Sequence, residues 1–125
     1  MTGATVTGPS LDVLVVDDSQ VLRTVVSSYL DDELDLRVVG AVGTAGEAVT
    51  QTWLLHPDVI LLDQDMPGGT GIDVLPQLRS MSPDARIVVF SCADGIRHDA
   101  LRLGADDFVG KESPFHEVAD VLRAR

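Results

Sequence analysis

Val59-Ile60-Leu61-Leu62-Asp63-Gln64-Asp65-Met66-Pro67-Gly68-Gly69 sets the architecture of the chain. Its first four residues form an unbroken apolar run with β-branched members, and its exit is rich in glycine and proline. That pattern predicts a parallel strand buried on both faces. The run ends in a carboxylate, Asp63. A doubly wound α/β sheet opens its functional crevice outside the carboxyl ends of its strands, so Asp63 falls where such a fold does its chemistry.

Elements of the same kind lie on both sides. Leu11 to Val16 reads as a second buried strand, and it too runs into acids, Asp17 and Asp18. Ser19 can cap a helix to about residue 31, with apolar positions Val21, Leu22, Val25, Val26, Tyr29 and Leu30 at helical spacing. Leu36 to Val42 suits a strand at the sheet edge. Thr44 with Glu47 forms a capping-box pattern for a helix expected to carry Ala45, Ala48, Val49 and Trp53 on its packed face, closed by His56-Pro57. After the central strand, a glycine-rich loop runs through Gly71 into a helix over about 72–81. Pro76 is expected to delay its start or kink it.

Arg86 to Phe90 is a further buried strand ending at Ser91-Cys92. A helix over 94–103 is closed by Gly104, a short strand over 107–110 leads into Lys111, and Pro114 opens a final helix in a favoured first-turn position. Five strands alternating with five helices imply a parallel sheet covered on both faces by right-handed crossovers. All strands then exit on one edge, which collects Asp17, Asp18, Asp63, Ser91 and Lys111.

The 125 residues suit a single domain, with 45% hydrophobic residues for its core. Met1 to Ser10 is Thr/Gly/Ala/Ser-rich and reads as a flexible tail (1–10) ahead of the domain (11–125). A formal charge of -11 disfavours direct binding to nucleic acid or to anionic membranes. The lone Cys92 fits a reducing compartment, and neither a signal peptide nor a membrane-spanning run is visible, so the expected location is the cytoplasm.

Three carboxylates converging on one crevice repel each other, and protonation or a bound cation relieves them; with oxygen donors only, Mg2+ is the natural guest. Lys111 and Ser91 add a charge and a hydroxyl suited to a tetrahedral oxyanion. Asp63 is then the nucleophile for phosphoryl transfer, since carboxylates form acyl phosphates. His56, His98 and His116 lack metal-ligand spacing and read as ordinary surface residues, and the acids from Asp31 to Asp35 read as a solvated turn.

Val15-Val16-Asp17-Asp18-Ser19, Leu61-Leu62-Asp63-Gln64-Asp65-Met66-Pro67-Gly68, Ser91 and Gly104-Ala105-Asp106-Asp107-Phe108-Val109-Gly110-Lys111 together resemble the receiver domains of bacterial two-component response regulators. The resemblance runs from Leu11 to Arg125. It implies a flavodoxin-like (βα)5 fold with strand order 2-1-3-4-5. It also implies that Asp63 is the phosphoacceptor, with Asp18 and Asp63 as direct Mg2+ ligands, Asp17 acting through water, and the backbone carbonyl of Asp65 a further ligand. Ser91 and Lys111 would contact the phosphoryl oxygens, and Ser91 and Phe108 would form the switch, the aromatic ring turning inward on activation. The only catalysis implied is the domain's own phosphotransfer and dephosphorylation.

The donor implied is a histidine kinase or histidine phosphotransfer protein. On the output side the resemblance implies a downstream protein, a C-terminal output domain or a phosphorylation-dependent homodimer. The expected output surface is the fourth helix, last strand and last helix, with Arg97, Arg102 and Phe108.

Several positions depart from the family pattern. Phe108 replaces the frequent tyrosine, so bias between switch states must come from burial rather than a phenol. Cys92 stands where the family usually has Ala or Gly and is expected to narrow access to the phosphoryl site. Glu112 replaces the usual proline after Lys111. Lys111-Glu112-Ser113-Pro114 and Leu36-Arg37-Val38-Val39-Gly40 are similar to receivers that precede LuxR-type DNA-binding domains, which leaves a stand-alone receiver or a receiver belonging to a longer regulator. Two competing readings are a phosphohydrolase of the haloacid-dehalogenase type, whose Asp-x-Asp motif Asp63-Gln64-Asp65 imitates, and a receiver-like interaction module that is never phosphorylated.

Overall fold

The computed structural model describes residues 10–66 and 69–124. The expected tail, residues 1–9 of it, lies outside the described residues, as do Pro67 and Gly68 of the glycine-rich loop. The strands are β1 (Leu11–Val16), β2 (Leu36–Val42), β3 (Val59–Asp63), β4 (Arg86–Ser91) and β5 (Asp107–Gly110). The helices are α1 (Gln20–Asp31), α2 (Ala45–Leu55), α3 (Gly71–Met81), α4 (Arg97–Arg102) and α5 (Phe115–Arg123). All pairings are parallel and the order is β2-β1-β3-β4-β5, a flavodoxin-like doubly wound sheet.

The period of two along each strand divides the core. Ile60 and Leu62 of β3 face the α2, α3 and α4 layer with Leu14, Val16, Ile87 and Val89, while Val59 and Leu61 face the α1 and α5 layer with Val13, Val15, Val88 and Phe90. Every residue of β3 is buried, as the apolar run predicted. β3 lies between β1 and β4, so Asp63 emerges at the middle of the carboxyl edge with Asp17 on one side and Ser91 on the other.

Several expectations are corrected. Trp53 is 66% exposed rather than packed. The inner face of α2 is Ala45, Ala48, Val49, Thr52 and Leu55, and a residue one step past Thr52 is turned about 100° away from it. Val21 and Val25 also lie on the solvent side of α1, which packs through Leu22, Val26, Tyr29 and Leu30.

Pro76 does not delay α3, which begins at Gly71. Thr70 and Asp73 close a capping box there, and the exposed proline sits well past the first turn. The helix expected over 94–103 is a 3-10 turn (Asp94–Ile96) followed by α4, because Ala93 offers no capping oxygen and Gly95 weakens the first turn. Pro114 occupies the N-cap of α5 rather than its first turn.

The acid-rich segment after α1 is more than a solvated turn. Arg123, at the end of α5, donates to Asp35 at 2.8 Å and to Glu33 at 2.7 Å, fastening the last helix to the loop between α1 and β2. These hydrogen bonds hold the Asp35 carboxyl below its ordinary value and push the Arg123 guanidinium up.

Candidate functional site

The site is assembled by backbone hydrogen bonds at the carboxyl ends of the strands. The N–H of Asp17 donates to the carbonyl of Val42, that of Gln64 to Phe90, and that of Lys111 to Ser91. Each strand end is thereby registered on its neighbour before any side chain is considered. One carboxylate oxygen each from Asp17, Asp18 and Asp63 lies within 4.8 Å of the other two. Asp17 and Asp63 are buried; Asp18 is exposed.

Lys111 crosses from β5 to meet them. Its Nζ lies 2.8 Å from Asp63 Oδ1 and 3.1 Å from Asp17 Oδ2, and 5.5 Å from the centre of the Phe90 ring. Burial pushes the Asp63 carboxyl up, and the charge of Asp17 adds to this; the Lys111 hydrogen bond and the Asp65 N–H oppose it without cancelling it. Burial alone would pull the Lys111 ammonium down, but its hydrogen bonds to Asp63 and Asp17 outweigh this and raise it. Lys111 therefore stays charged.

Asp63 Oδ1 also accepts from the N–H of Asp65 at 3.2 Å. Asp63 Oδ2 is buried and has no hydrogen-bond donor among the described residues. An orphaned carboxylate oxygen inside a cluster of three acids costs free energy that a hard cation relieves, so the donor set fits Mg2+.

Ser91 ends β4 with its hydroxyl accepting from the N–H of Ala93 at 3.1 Å. Ser91 is buried at the end of β4, next to β3, whereas Cys92, the following residue, is exposed. Phe108 is 3% exposed, packed in the α4-side core, with the Arg97 guanidinium 4.7 Å above its ring. The ring is buried, as core packing and a bias set by burial require, beneath the surface that Arg97 and Arg102 were expected to share with it. His56, His98 and His116 are exposed and stand apart from the acids, as expected.

Three residues escaped the sequence reading. Arg23 of α1 donates to the Asp17 carbonyl at 2.7 Å, in space left free by the missing side chain of Gly43. Gln64 accepts from the N–H of Ile72 at 2.9 Å. Gly71 packs on the Asp63 carbonyl so closely that any Cβ would collide with it. A polar residue directly after the strand's terminal acid was the one available signal for Gln64; for Arg23 and Gly71 only the packing reveals the role.

Comparison with known proteins agrees with this geometry. The protein-glutamate methylesterase/protein-glutamine glutaminase of Nitrobacter winogradskyi is 37% identical over 119 residues, covering 90% of this chain and 28% of that protein. The nitrate/nitrite response regulator protein NarL of Escherichia coli K12 is 37% identical over 117 residues, covering 90% of this chain and 51% of that protein. The chain thus spans about half or less of the curated relatives it matches. A LuxR-family two-component response regulator from Aurantimonas sp. SI85-9A1 superposes with a TM-score of 0.84 at 26% identity, covering 89% of this chain and 81% of that one. The response regulator receiver domain model matches residues 13–123, and the chain belongs to that family.

Proposed function

We propose that the chain is a phosphorylatable receiver: it accepts one phosphoryl group on Asp63 in a Mg2+-dependent transfer and thereby alters a partner-binding surface. One observation carries this reading. Asp63 is fully buried at the sheet's carboxyl edge with Oδ2 unpartnered among the described residues, inside a cluster of three acids and 2.8 Å from a lysine.

Asp17, Asp18, Asp63 and the carbonyl of Asp65 would hold Mg2+, which supplies charge neutralisation at the transferring phosphoryl oxygens. An oxygen of Asp63 attacks phosphorus in line. The bond from phosphorus to the donor's imidazole nitrogen breaks, and that nitrogen keeps the electron pair. Lys111, with three ammonium protons, holds the two acids and presents a donor to a phosphoryl oxygen. The Ser91 hydroxyl exchanges its Ala93 N–H contact for the phosphoryl group, and Phe108 responds behind it. Membership of the receiver family supports a protein phosphohistidine as the donor, from a histidine kinase or histidine phosphotransfer protein.

The unit is residues 11–125, preceded by the 1–10 tail, and its setting is the cytoplasm; no described helix is long and apolar enough to cross a membrane. Output runs through a downstream protein, a C-terminal output domain or a phosphorylation-dependent homodimer. The chain's acidic charge supports none of these acting through direct nucleic-acid contact by this domain. Transfer from a phosphorylated histidine domain tests the reading. It predicts a single hydroxylamine-labile phosphoryl group on the peptide containing Asp63, after which donor consumption slows to the rate of dephosphorylation. Sustained release of phosphate from excess small esters would instead mark a hydrolase, and no transfer with an intact fold would mark an interaction module.

A further inference from the structure

The loop that leaves β3 after Asp63 returns to α3 through a narrow neck. The N–H of Gly71 donates to the Gln64 carbonyl at 2.9 Å, and the N–H of Ile72 donates to the Gln64 side-chain Oε1, also at 2.9 Å. Gly71 itself lies against the Asp63 carbonyl. Only one of these closures depends on a side chain, and that side chain is Gln64.

The first N–H groups of a helix have no partners within it. Thr70 Oγ1 serves the N–H of Asp73, and Gln64 supplies the acceptor for Ile72, so α3 has two caps from opposite sides of the loop. They differ in what else they hold. Thr70 belongs to the far end of the loop. Gln64 is the residue between Asp63 and Asp65, and its own N–H is tied to the Phe90 carbonyl of β4 at 3.3 Å. Release of its side chain would loosen the main chain on both sides of it, and among the described residues Asp65 is otherwise held only by its N–H to Asp63 Oδ1.

We infer that Gln64 is a positioning residue for the cation site: by closing the neck it keeps the Asp63 carboxylate and the Asp65 main chain in the arrangement that receives Mg2+. This rests on the phosphoacceptor reading. Its effect is on metal affinity rather than on the transfer itself, because a bound cation would restore the arrangement once saturating.

The test compares the parent chain with Gln64→Leu and Gln64→Met, which keep the side chain's bulk without the amide acceptor, and with Thr70→Ala, which removes the other cap of the same helix. Mg2+ affinity is read by isothermal titration calorimetry without any phosphoryl donor, and phosphoryl uptake is then read at saturating Mg2+. Both Gln64 variants are expected to weaken Mg2+ binding about five-fold, the loss of one hydrogen bond. Their uptake at saturation should lie within about two-fold of the parent, and Thr70→Ala should lower the melting temperature while leaving Mg2+ affinity unchanged.

Unchanged Mg2+ affinity in both Gln64 variants overturns the inference and leaves the phosphoacceptor reading standing. Equal losses of affinity in Thr70→Ala overturn it as well, since a helix cap of any origin would then suffice. A parent chain that takes up no Mg2+ overturns both.

Discussion

Lys111 Nζ is 2.8 Å from Asp63 Oδ1, and the same ammonium is 3.1 Å from Asp17 Oδ2, so one cation serves two buried acids. The Asp63 carboxyl stays raised because burial and the Asp17 charge exceed what Lys111 returns. The folded chain thus holds the Asp63 proton more tightly than the unfolded chain does. As pH rises from the ordinary aspartate value of 3.8 through the higher folded value, stability is lost, and the loss persists at neutral pH. Asp63→Asn removes that loss while keeping an acceptor for Lys111. Its melting temperature at pH 7 is expected to exceed the parent's by about 3 °C, with the difference closing below pH 3.8. Thermal denaturation across pH checks this, and a variant less stable than the parent at pH 7 contradicts it.

Lys111→Met makes the opposite change. It leaves Asp17 and Asp63 facing each other without a cation, at a cost of about 2 kcal/mol, below the figure for a fully buried pair because Lys111 reaches solvent. Millimolar Mg2+ should restore more stability to this variant than to the parent, since more repulsion remains to be relieved. Denaturant unfolding with and without Mg2+ measures both quantities.

Arg97 stands over the ring of Phe108, and the two contribute very differently. Phe108→Ala opens a cavity in the α4-side core and is expected to destabilise by about 3 kcal/mol. Arg97→Ala removes only a cation-π contact at an exposed edge, about 0.5 kcal/mol. Urea midpoints of the two variants decide whether the ring is held by burial, as its lack of a phenol requires.

Cys92 is exposed and directly follows Ser91. If its bulk narrows the approach, Cys92→Ala should take up phosphoryl groups from acetyl phosphate several-fold faster, about three-fold for a barrier change of 0.6 kcal/mol. Equal or faster uptake by the parent removes Cys92 from the account.

Arg123 holds three acids at once: Glu33 and Asp35 beyond the end of α1, and Asp120 one turn back on α5. Arg123→Ala is expected to cost about 1 kcal/mol at neutral pH, a network value discounted for solvent screening. Asp35 is lowered by that contact, so its share is present above pH 3.8 and disappears as pH falls through the folded value. The variant and the parent should therefore converge in acid.

The buried strands were legible because each is a short apolar run whose end is marked by an acid, a serine or a lysine, and a parallel sheet turns such ends to one edge. Asp17, Asp18, Asp63, Ser91 and Lys111 could be collected from that rule alone. Trp53 could not be placed, because α2 is apolar on more than one face and the sequence does not say which face meets the sheet. Arg23 and Gly71 act through contacts to main-chain atoms, which leave no side-chain pattern to read, and Gln64 offered only its polarity directly after Asp63. The Arg123 clamp joins segments 88 residues apart, a distance over which periodicity carries no information.

The central claim is that Asp63 accepts a phosphoryl group, and intact-mass spectrometry tests it most directly. The purified chain is incubated with acetyl phosphate in Mg2+ or in EDTA, and Asp63→Asn is treated alongside, with a phosphorylated histidine domain as a second donor. The account predicts a gain of one phosphoryl group that requires Mg2+ and is absent in Asp63→Asn. Mass added equally in EDTA or in Asp63→Asn, or no gain from either donor by a folded parent, would contradict it.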